Sequence, residues 1–190
     1  MRIIAGKYRG KNLFLPKDKN TRPLKDLVKE NIFNLITHSK AVQIKLSNSY
    51  VLDLFAGTGS FGMECLSRGA KEVSFLENHP EAIEILRKNL NSLKNTNNYK
   101  IINNEIFNFL EKSKNFNNKF DIIFIDPPYK ENRINQLIEY IIEKKLLREK
   151  GFLIIHRHKK DTIAISEKIQ LVEVRNYGIS KISLGYPIIW

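Results

Sequence analysis

The chain has 190 residues, of which 42% are hydrophobic and 27% are charged, as is ordinary for a soluble globular protein with a substantial core. Its 32 lysines and arginines outnumber 20 aspartates and glutamates, and the formal charge of +12 favours a polyanionic partner such as nucleic acid over an excess spread on solvated faces. No apolar run has membrane-spanning length and no signal-peptide pattern opens the chain, so we expect a cytoplasmic protein without a membrane partner.

The first 45 residues are predicted to form a basic arm and a docking helix on the rest of the chain, 1–190, which we expect to be one domain because no linker or repeat divides it. Apolar residues recur at helical spacing after Pro23: Leu24, Leu27, Val28, Ile32, Leu35 and Ile36. Cationic side chains before the helix suit phosphate contacts. We predict RNA binding by these residues: Arg2, Lys7, Arg9, Lys11, Arg22 and Lys25. An organelle-targeting peptide is disfavoured, because the first 30 residues contain no serine.

A short apolar strand at about 50–54 runs into a turn with glycines at alternate positions, and a helix at 61–68 follows. Glycine permits positive φ and a close approach of the backbone to a ligand, while the helix N-terminus offers free amide donors. The turn lacks the glycine spacing of a dinucleotide site, and a carboxylate in it would repel a pyrophosphate but hold an ammonium group. We therefore predict a cationic, phosphate-free ligand, contacted by Asp53, Phe55, Ala56, Gly57, Thr58 and Gly59.

Acidic residues also follow the next two predicted strands, at 72–76 and 100–103. Glu77 and Asn78 come after the first of these, where an acid usually binds ribose hydroxyls. Their alternative role is to place negative charge in front of a helix at 80–93. Glu105 and Ile106 come after the other strand and could contact an adenine amino group and ring, at the start of a helix at 105–113.

The strand at 120–125 ends in Asp126-Pro127-Pro128-Tyr129. A nitrogen conjugated to a ring or carbonyl is a poor nucleophile, because its lone pair is delocalised. An acceptor that takes a hydrogen bond from it helps to localise that lone pair, a role that suits the Asp126 side chain and the Pro127 carbonyl. Prolines would hold both acceptors with little freedom, and Tyr129 could stack on the target ring. The pattern predicts alkylation of an amino nitrogen; its alternative is an Asp-Pro turn that ends a strand beside a surface tyrosine.

The remaining elements are a helix near 131–146, a strand at 151–156 and two strands at 169–177 and 179–186. Strands that alternate with helices predict a mostly parallel sheet covered on both faces, with a ligand crevice beyond the carboxyl ends of the strands. The last two strands are close enough in sequence to form a hairpin.

The single cysteine, Cys65, excludes an internal disulfide and argues against a thiolate zinc site. His156 and His158 could share one face of a strand and invite a metal interpretation, but the sequence offers no further convincing ligands. We predict no metal.

These motifs resemble the RsmD family of S-adenosylmethionine-dependent methyltransferases. The likeness covers nearly the whole chain, and the segments 30–34 and 64–70 are not shared with methyltransferases in general. It implies the α/β, Rossmann-like class I fold, a mostly parallel seven-stranded sheet with a reversed C-terminal strand, here with a short basic N-terminal extension. Leu24 stands where the family usually has threonine, and Glu105 stands where Asp or Asn is common.

The resemblance also implies the reaction: S-adenosylmethionine becomes S-adenosylhomocysteine as a methyl group moves to the exocyclic amino group (N2) of one guanine in 16S ribosomal RNA. The substrate would be a small ribosomal subunit or an assembly intermediate, and the enzyme a monomer. Asp53 and the turn glycines would meet the methionine end of the cofactor, Glu77 the ribose, Glu105 and Ile106 the adenine, and 126–129 the target base. Arg68, in the segment 64–70, joins the predicted RNA contacts.

Other functions stay open at this point. A DNA adenine methyltransferase or a protein glutamine methyltransferase could use the same tetrapeptide, although the chain has little room for a DNA target-recognition region. A binding module without catalysis is disfavoured because both the turn and the tetrapeptide are present. A dehydrogenase is disfavoured by Asp53 and by the missing third glycine.

Overall fold

The computed structural model describes residues 1–16, 24–112 and 119–188. In these residues seven strands form one sheet. The strands are β1 (Tyr50–Leu54), β2 (Glu72–Glu77), β3 (Tyr99–Asn103), β4 (Phe120–Ile125), β5 (Leu147–His158), β6 (Ile169–Tyr177) and β7 (Ser180–Pro187). The helices are α1 (Asp26–His38), α2 (Ser60–Ser67), α3 (Pro80–Asn91), α4 (Ile106–Lys112) and α5 (Ile134–Glu143).

The sheet has the order β3-β2-β1-β4-β5-β7-β6. Strands β1 to β5 run parallel, as their connections through helices require, whereas β7 lies antiparallel to both β5 and β6. Tyr177 pairs with Ser180 across the short turn between β6 and β7, where Gly178 has a φ of +60°. The predicted mostly parallel sheet with a reversed C-terminal strand is therefore confirmed.

Two apolar clusters cover the two faces of the sheet. Val51, Phe75 and Phe124 point to the face packed by α1, α2 and α3, and their neighbours Leu52 and Leu76 point to the face packed by α4 and α5. Successive residues of a strand face opposite sides. Because both sides are buried, the strands read as continuous apolar runs instead of alternating ones.

The N-terminal segment forms a hairpin, with a bridge between Arg2 and Asn12, that lies along α2. The carboxylate of Glu64 in α2 accepts hydrogen bonds from the backbone N–H groups of Ile4 (2.7 Å) and Ala5 (2.9 Å). The ammonium group of Lys29, from α1, lies 3.9 Å from the same carboxylate, and both side chains are fully buried. The docking of this hairpin therefore depends on a buried acid–base pair.

Three expectations about individual elements were wrong in detail. Leu27, one of the apolar residues at helical spacing, is 67% exposed instead of facing the core. Lys29 is buried because it has polar partners there: its Nζ donates to the carbonyl of Arg2 (2.6 Å) and to the hydroxyl of Ser60 (3.1 Å). Helix α5 is shorter than 131–146, because a turn from the Pro128 carbonyl to the Glu131 N–H precedes it and a positive φ at Lys145 follows it. Strand β5 extends beyond 151–156, as its ladders with β4 and β7 continue past both ends.

None of the helices in the described part of the chain combines the length and the apolar character that a membrane crossing needs.

Candidate active site

The glycine turn and the tetrapeptide lie at the same edge of the sheet. Strands β1 and β4 are parallel neighbours with Leu54 beside Ile125, so the turn 55–59 and the segment 126–129 both leave the sheet at its carboxyl edge. The N–H of Asp126 lies 3.5 Å from the carbonyl oxygen of Leu54. The expected crevice at the carboxyl ends of the strands is thus bordered by both motifs.

Asp53 lies directly behind the glycine turn and is only 1% exposed. Its Oδ2 accepts a hydrogen bond from the N–H of Gly62 in the first turn of α2 (2.9 Å). A Cβ on Gly62 would lie only 2.3 Å from the ring of Phe75. Glycine at this position therefore allows α2 to approach the sheet closely enough for the hydrogen bond to Asp53. Asp53 therefore fixes the start of α2 against β1.

The turn itself adopts left-handed backbone conformations, with φ of +60° at Phe55, +53° at Gly57 and +83° at Gly59. A Cβ on Gly59 would lie 2.4 Å from Cδ1 of Leu86, so this position needs glycine for space as well as for conformation. These conformations turn the backbone sharply from β1 into α2.

Hydrogen bonds from the surrounding elements hold the turn in place. Ala56 donates its N–H to the carbonyl of Leu76 (3.0 Å), and the carbonyl of Thr58 accepts from the side-chain amide of Asn89 (3.0 Å). Both Ala56 and Thr58 are buried. The turn is therefore a preformed part of the fold.

Glu77, at the tip of β2, contacts the turn directly. Its Oε2 accepts a hydrogen bond from the N–H of Gly57 (2.8 Å), and its Oε1 accepts from the N–H groups of Asn78 and His79 (2.8 Å each). The half-buried carboxylate thus ties the turn to the end of β2, while Asn78 is exposed beside it.

Asp126 lies on the other side of the glycine turn, after β4, with 26% of its side chain exposed. Its Oδ1 lies 2.8 Å from Nδ1 of His156 in β5. Asp126 and His156 come directly after Ile125 and Ile155, which pair with each other in the parallel ladder. Pro127 is buried, whereas Pro128 and Tyr129 are exposed, Tyr129 by 70%. The motif therefore presents one anchored carboxylate and one solvent-exposed aromatic ring at the edge of the sheet.

Two histidines of β5 complete the surroundings of this motif. The ring of His158 meets the Tyr129 ring edge-on, with centroids 5.6 Å apart and an interplanar angle of 87°. Nε2 of His156 lies 2.8 Å from the hydroxyl oxygen of Ser180 in β7. The sequence predicts that the histidines could share a face, but it does not reveal their contacts with the tetrapeptide. The one usable signal in the sequence was that the two histidines are two positions apart in a strand, directly after its apolar residues.

Acidic side chains gather around the glycine turn. Burial raises the pKa of Asp53 well above its usual range; the hydrogen bond from Gly62 opposes this shift, and the negative charges of Asp126 and Glu77 add to it. The partly exposed carboxylates of Glu77 and Asp126, on either side of the turn, favour a cationic ligand and disfavour a phosphate. The donor set therefore fits the cationic, phosphate-free ligand predicted from the turn.

Replacing Asp53 with asparagine should raise the free energy of unfolding at neutral pH by about 1–2 kcal/mol, because a neutral group of the same shape is cheaper to bury. The amide oxygen can still accept from Gly62. Because the pKa of Asp53 is raised in the folded state, the wild-type fold binds its proton more tightly than the unfolded chain. The stability cost of the carboxylate therefore appears as pH rises above about 4 and vanishes below it.

Denaturant titrations of both proteins between pH 3 and 8 test this expectation. A stability difference that stays constant across this range, or an asparagine variant that is less stable at pH 7, would contradict it. Gln at the exposed Glu139 serves as a matched control and should show neither effect.

Glu105 and Ile106 have structural partners of their own. The carboxylate of Glu105 accepts a hydrogen bond from the N–H of Asn108 (2.8 Å) and so caps α4, and Ile106 is 5% exposed in the core beneath that helix. The guanidinium of Arg133 lies 3.7 Å from the ring centroid of Phe107, which brings the segment after the tetrapeptide onto the start of α4. The predicted adenine contact of these two residues stays a prediction.

The predicted RNA-binding residues divide between two ends of α2. Arg2 and Lys25 lie near the start of α1, with Nε of Arg2 3.9 Å from Asp26. The hairpin turn lies at the other end of α2, where Lys7 donates its N–H to the carbonyl of Ser67 (2.7 Å). An open cleft of about 300 Å³ is found there, lined by Tyr8, Arg9, Lys11, Ser92 and Lys94.

Arg68 is more constrained than the other predicted RNA contacts. Its Nε donates to Glu64 (2.8 Å) and its guanidinium lies 4.5 Å from the ring centroid of Phe33. Arg22 lies outside the described residues.

Cys65 is buried, as expected for a small apolar residue. In residues 1–16, 24–112 and 119–188, no group of three or more His, Cys, Asp or Glu side chains is arranged to hold a metal ion.

Comparison with known proteins places the chain among methyltransferases. A family model described as "Conserved hypothetical protein 95" matches residues 1–186. "Ribosomal RNA small subunit methyltransferase D" of Haemophilus influenzae is 34% identical over 180 residues, which are 94% of this chain and 90% of that protein.

Solved structures agree with this fold. The Escherichia coli protein yhhF, a proposed methyltransferase, has a TM-score of 0.81 and 26% identity over 98% of this chain and 97% of that one. SMU.776, solved in complex with SAH, has a TM-score of 0.63 and 16% identity over 80% of this chain and 49% of that one, and it supports the fold alone. Because the family model spans nearly the whole chain and the Haemophilus relative matches it end to end, this protein belongs to the RsmD family of methyltransferases.

Proposed function

We propose that this protein transfers a methyl group from S-adenosylmethionine to the exocyclic amino group of a guanine in 16S ribosomal RNA. The observation that carries this proposal is the pairing, at one sheet edge, of a preformed negative turn with a partly exposed Asp126 carboxylate. The first suits a cationic donor and the second suits an amino group. The name of the Haemophilus relative supports ribosomal RNA as the acceptor.

The cofactor would be held by the glycine turn and the acids on either side of it. When bound, S-adenosylmethionine supplies an electrophilic methyl carbon on a positively charged sulfur, which keeps the electron pair of the broken bond. The backbone of 55–59 would face its methionine end, with Asp53 directly behind this turn, and Glu77 would exchange its contact with Gly57 for ribose hydroxyls. Asn78, Glu105 and Ile106 would border the remainder of the cofactor.

The target amino group would meet Asp126. A carboxylate is an acceptor only, so it accepts one amino hydrogen and leaves the nitrogen lone pair to point away from it. The carbonyl of Pro127 would accept the other hydrogen, and the exposed Tyr129 ring would stack on the base. After the transfer, Asp126 accepts the surplus proton of the methylated nitrogen.

The RNA would contact the positive surface of the N-terminal hairpin. In the described part of the chain no carboxylate forms an ion pair with Lys7, Arg9, Lys11 or Lys94, so these cations are available to phosphates. Because the hairpin runs the length of α2, contacts at its turn and at the crevice would span more than one nucleotide. A structured RNA in an assembling small subunit fits such a footprint. We propose that one chain, acting as a single domain and a monomer in the cytoplasm, suffices for it.

The direct test is transfer of a labelled methyl group to purified acceptors. The purified protein is incubated with labelled S-adenosylmethionine and one of four acceptors: naked 16S ribosomal RNA, undermethylated small subunits, DNA or a release factor. We expect label in one of the two RNA-containing samples, and N2-methylguanosine after nuclease digestion. Label in the DNA or in a protein glutamine would replace this proposal with one of the other amino-methylating functions, and label on another atom of the RNA would refute the guanine assignment.

A further inference from the structure

The side chains of Asp126, His156 and Ser180 form a continuous hydrogen-bonded chain. The distance is 2.8 Å from Oδ1 of Asp126 to Nδ1 of His156 and 2.8 Å from Nε2 of His156 to Oγ of Ser180. The two residues behind Asp126 are largely buried, with His156 exposed by 18% and Ser180 by 7%. Three strands, β4, β5 and β7, therefore converge on one carboxylate.

The register of the sheet produces this arrangement. Ile125 pairs with Ile155 in the parallel ladder, so the following residues Asp126 and His156 point to the same face. In the antiparallel ladder His158 pairs with Ser180, which puts the serine diagonally beside His156. His156 and Ser180 are thus held in paired strands, and Asp126 directly follows the last paired residue of β4.

The chemistry of the three groups determines the direction of the hydrogen bonds. An ionised Asp126 can only accept, so Nδ1 of His156 must carry a proton and donate it. Nε2 then accepts from the Ser180 hydroxyl when the ring is neutral. When the ring is protonated, Nε2 donates to the same oxygen. Ser180 satisfies both states, and in both of them Asp126 receives a hydrogen bond on Oδ1.

One oxygen of Asp126 remains available for the substrate. Oδ1 is occupied by His156, and Oδ2 has no hydrogen-bond partner among the residues that the structure describes. The terminal torsion of an aspartate is otherwise broad, so a carboxylate without this contact would sample many orientations of its acceptor lone pairs. The histidine therefore restricts the plane in which Oδ2 can accept.

We propose that His156, backed by Ser180, is a positioning residue that orients the Asp126 carboxylate toward the amino group of the methyl acceptor. The inference rests on the proposed function, in which Asp126 receives that amino group. His156 acts through Asp126 and needs no contact with the donor.

The kinetic test compares three variants of His156 and Ser180 with wild type. Leucine at His156 keeps the volume but offers no donor, and kcat should fall about 10- to 100-fold while KM for S-adenosylmethionine stays within about threefold. Asparagine at His156 places an N–H near the position of Nδ1 and should recover most of that loss. Ser180→Ala removes only the outer support, and its loss should be smaller than that of the leucine variant.

His38→Leu, at the exposed end of α1, is the matched control and should retain wild-type kcat. Thermal melts establish that each variant is folded. A leucine variant with wild-type kcat, or an asparagine variant no better than leucine, would overturn the positioning role while the proposed function stands. If wild type methylates none of the acceptors, it is the proposed function that has failed.

A second measurement does not depend on activity. In protein labelled with ¹⁵N-histidine, the His156 resonances are identified by their loss in the leucine variant, and their shifts report which ring nitrogen carries the proton. At neutral pH we expect the proton to lie on Nδ1. When Asp126 is replaced by alanine, the ring should no longer prefer Nδ1 over Nε2 for this proton. A His156 ring protonated on Nε2 alone would refute the hydrogen-bonded chain.

Discussion

Alanine at Asp126 should reduce methyl transfer by about 1000-fold or more while the Kd for S-adenosylmethionine changes by less than about threefold. The loss is large because the carboxylate is the only acidic group that the tetrapeptide presents to the substrate, and removal of one preorganised hydrogen-bonding group at the reacting atoms costs about 100- to 1000-fold by itself. Cofactor binding is spared because the hydrogen bond of Glu77 to the glycine turn and that of Asp53 to the start of α2 do not involve Asp126.

Asparagine at Asp126 makes this prediction sharper. The N–H of His156 would pair with the amide oxygen, as it pairs with Oδ1 of the carboxylate, so the amide NH₂ would point at the target amino group. Two donors would then face each other. The asparagine variant should therefore be nearly as inactive as the alanine variant although it differs from wild type by little in shape.

Single-turnover rates with saturating cofactor, together with titration calorimetry for cofactor binding, test both variants. Gln at Glu139, a half-exposed carboxylate 3.7 Å from the ammonium of Lys168, is the control and should leave both quantities unchanged. An alanine variant within tenfold of the wild-type rate would remove Asp126 from the reaction. A loss of cofactor binding in parallel with the rate would reassign it to the cofactor pocket.

Alanine at Glu64 should lower the free energy of unfolding by about 3–5 kcal/mol, the usual cost of breaking a buried ion pair from one side. The carboxylate is fully buried and holds two backbone N–H groups of the hairpin, the guanidinium of Arg68 at 2.8 Å and the ammonium of Lys29 at 3.9 Å. Without it those N–H groups and the Lys29 charge stay buried without their acceptor.

The pairing can be separated from packing by a double variant. Leucine at Glu64 combined with methionine at Lys29 removes both charges, and it should be more stable than the Glu64→Ala variant because no buried charge is left over. Burial already lowers the pKa of Lys29, against the opposing effect of Glu64 and Asp26, so the ammonium is costly to hold without its partner.

Denaturant unfolding of these variants and hydrogen exchange at the amides of Ile4 and Ala5 provide the measurements. Glu72→Ala breaks a more exposed pair with Lys100 and should cost less than about 1 kcal/mol. If Glu64→Ala costs no more than this control, the buried pair is not what docks the hairpin. Faster exchange at Ile4 and Ala5 in the Glu64 variant alone would place the effect at the hairpin.

Much of the architecture was predictable because its signals are local. Apolar runs bounded by glycine, proline and acidic residues predicted the strands, and their alternation with helical patterns predicted a parallel sheet. In such a sheet every parallel strand ends at the same edge, so the acids at the ends of β1, β2 and β4 had to come together. Asp53, Glu77 and Asp126 are close enough in the structure for their charges to interact.

The exposure of Leu27 and the burial of Lys29 show what helical spacing leaves undecided. The periodic pattern identified the helix, but a lysine is normally solvent-exposed, so its burial was unexpected. Lys29 is buried because Glu64, thirty-five positions later, and the carbonyl of Arg2 happen to lie beneath α1. Partners of a buried charge are chosen by tertiary packing, and no local pattern contains them.

The sequence by itself determined the order of the elements, the glycine turn and the position of the tetrapeptide, since backbone conformation and hydrophobic period are properties of neighbouring residues. Only the tertiary structure decided that His156 and Ser180 support Asp126 and that the basic turn of the hairpin lies at the far end of α2 from the crevice. Strand register and helix docking join residues that are distant along the chain, and they follow from burial of whole faces instead of from any single motif.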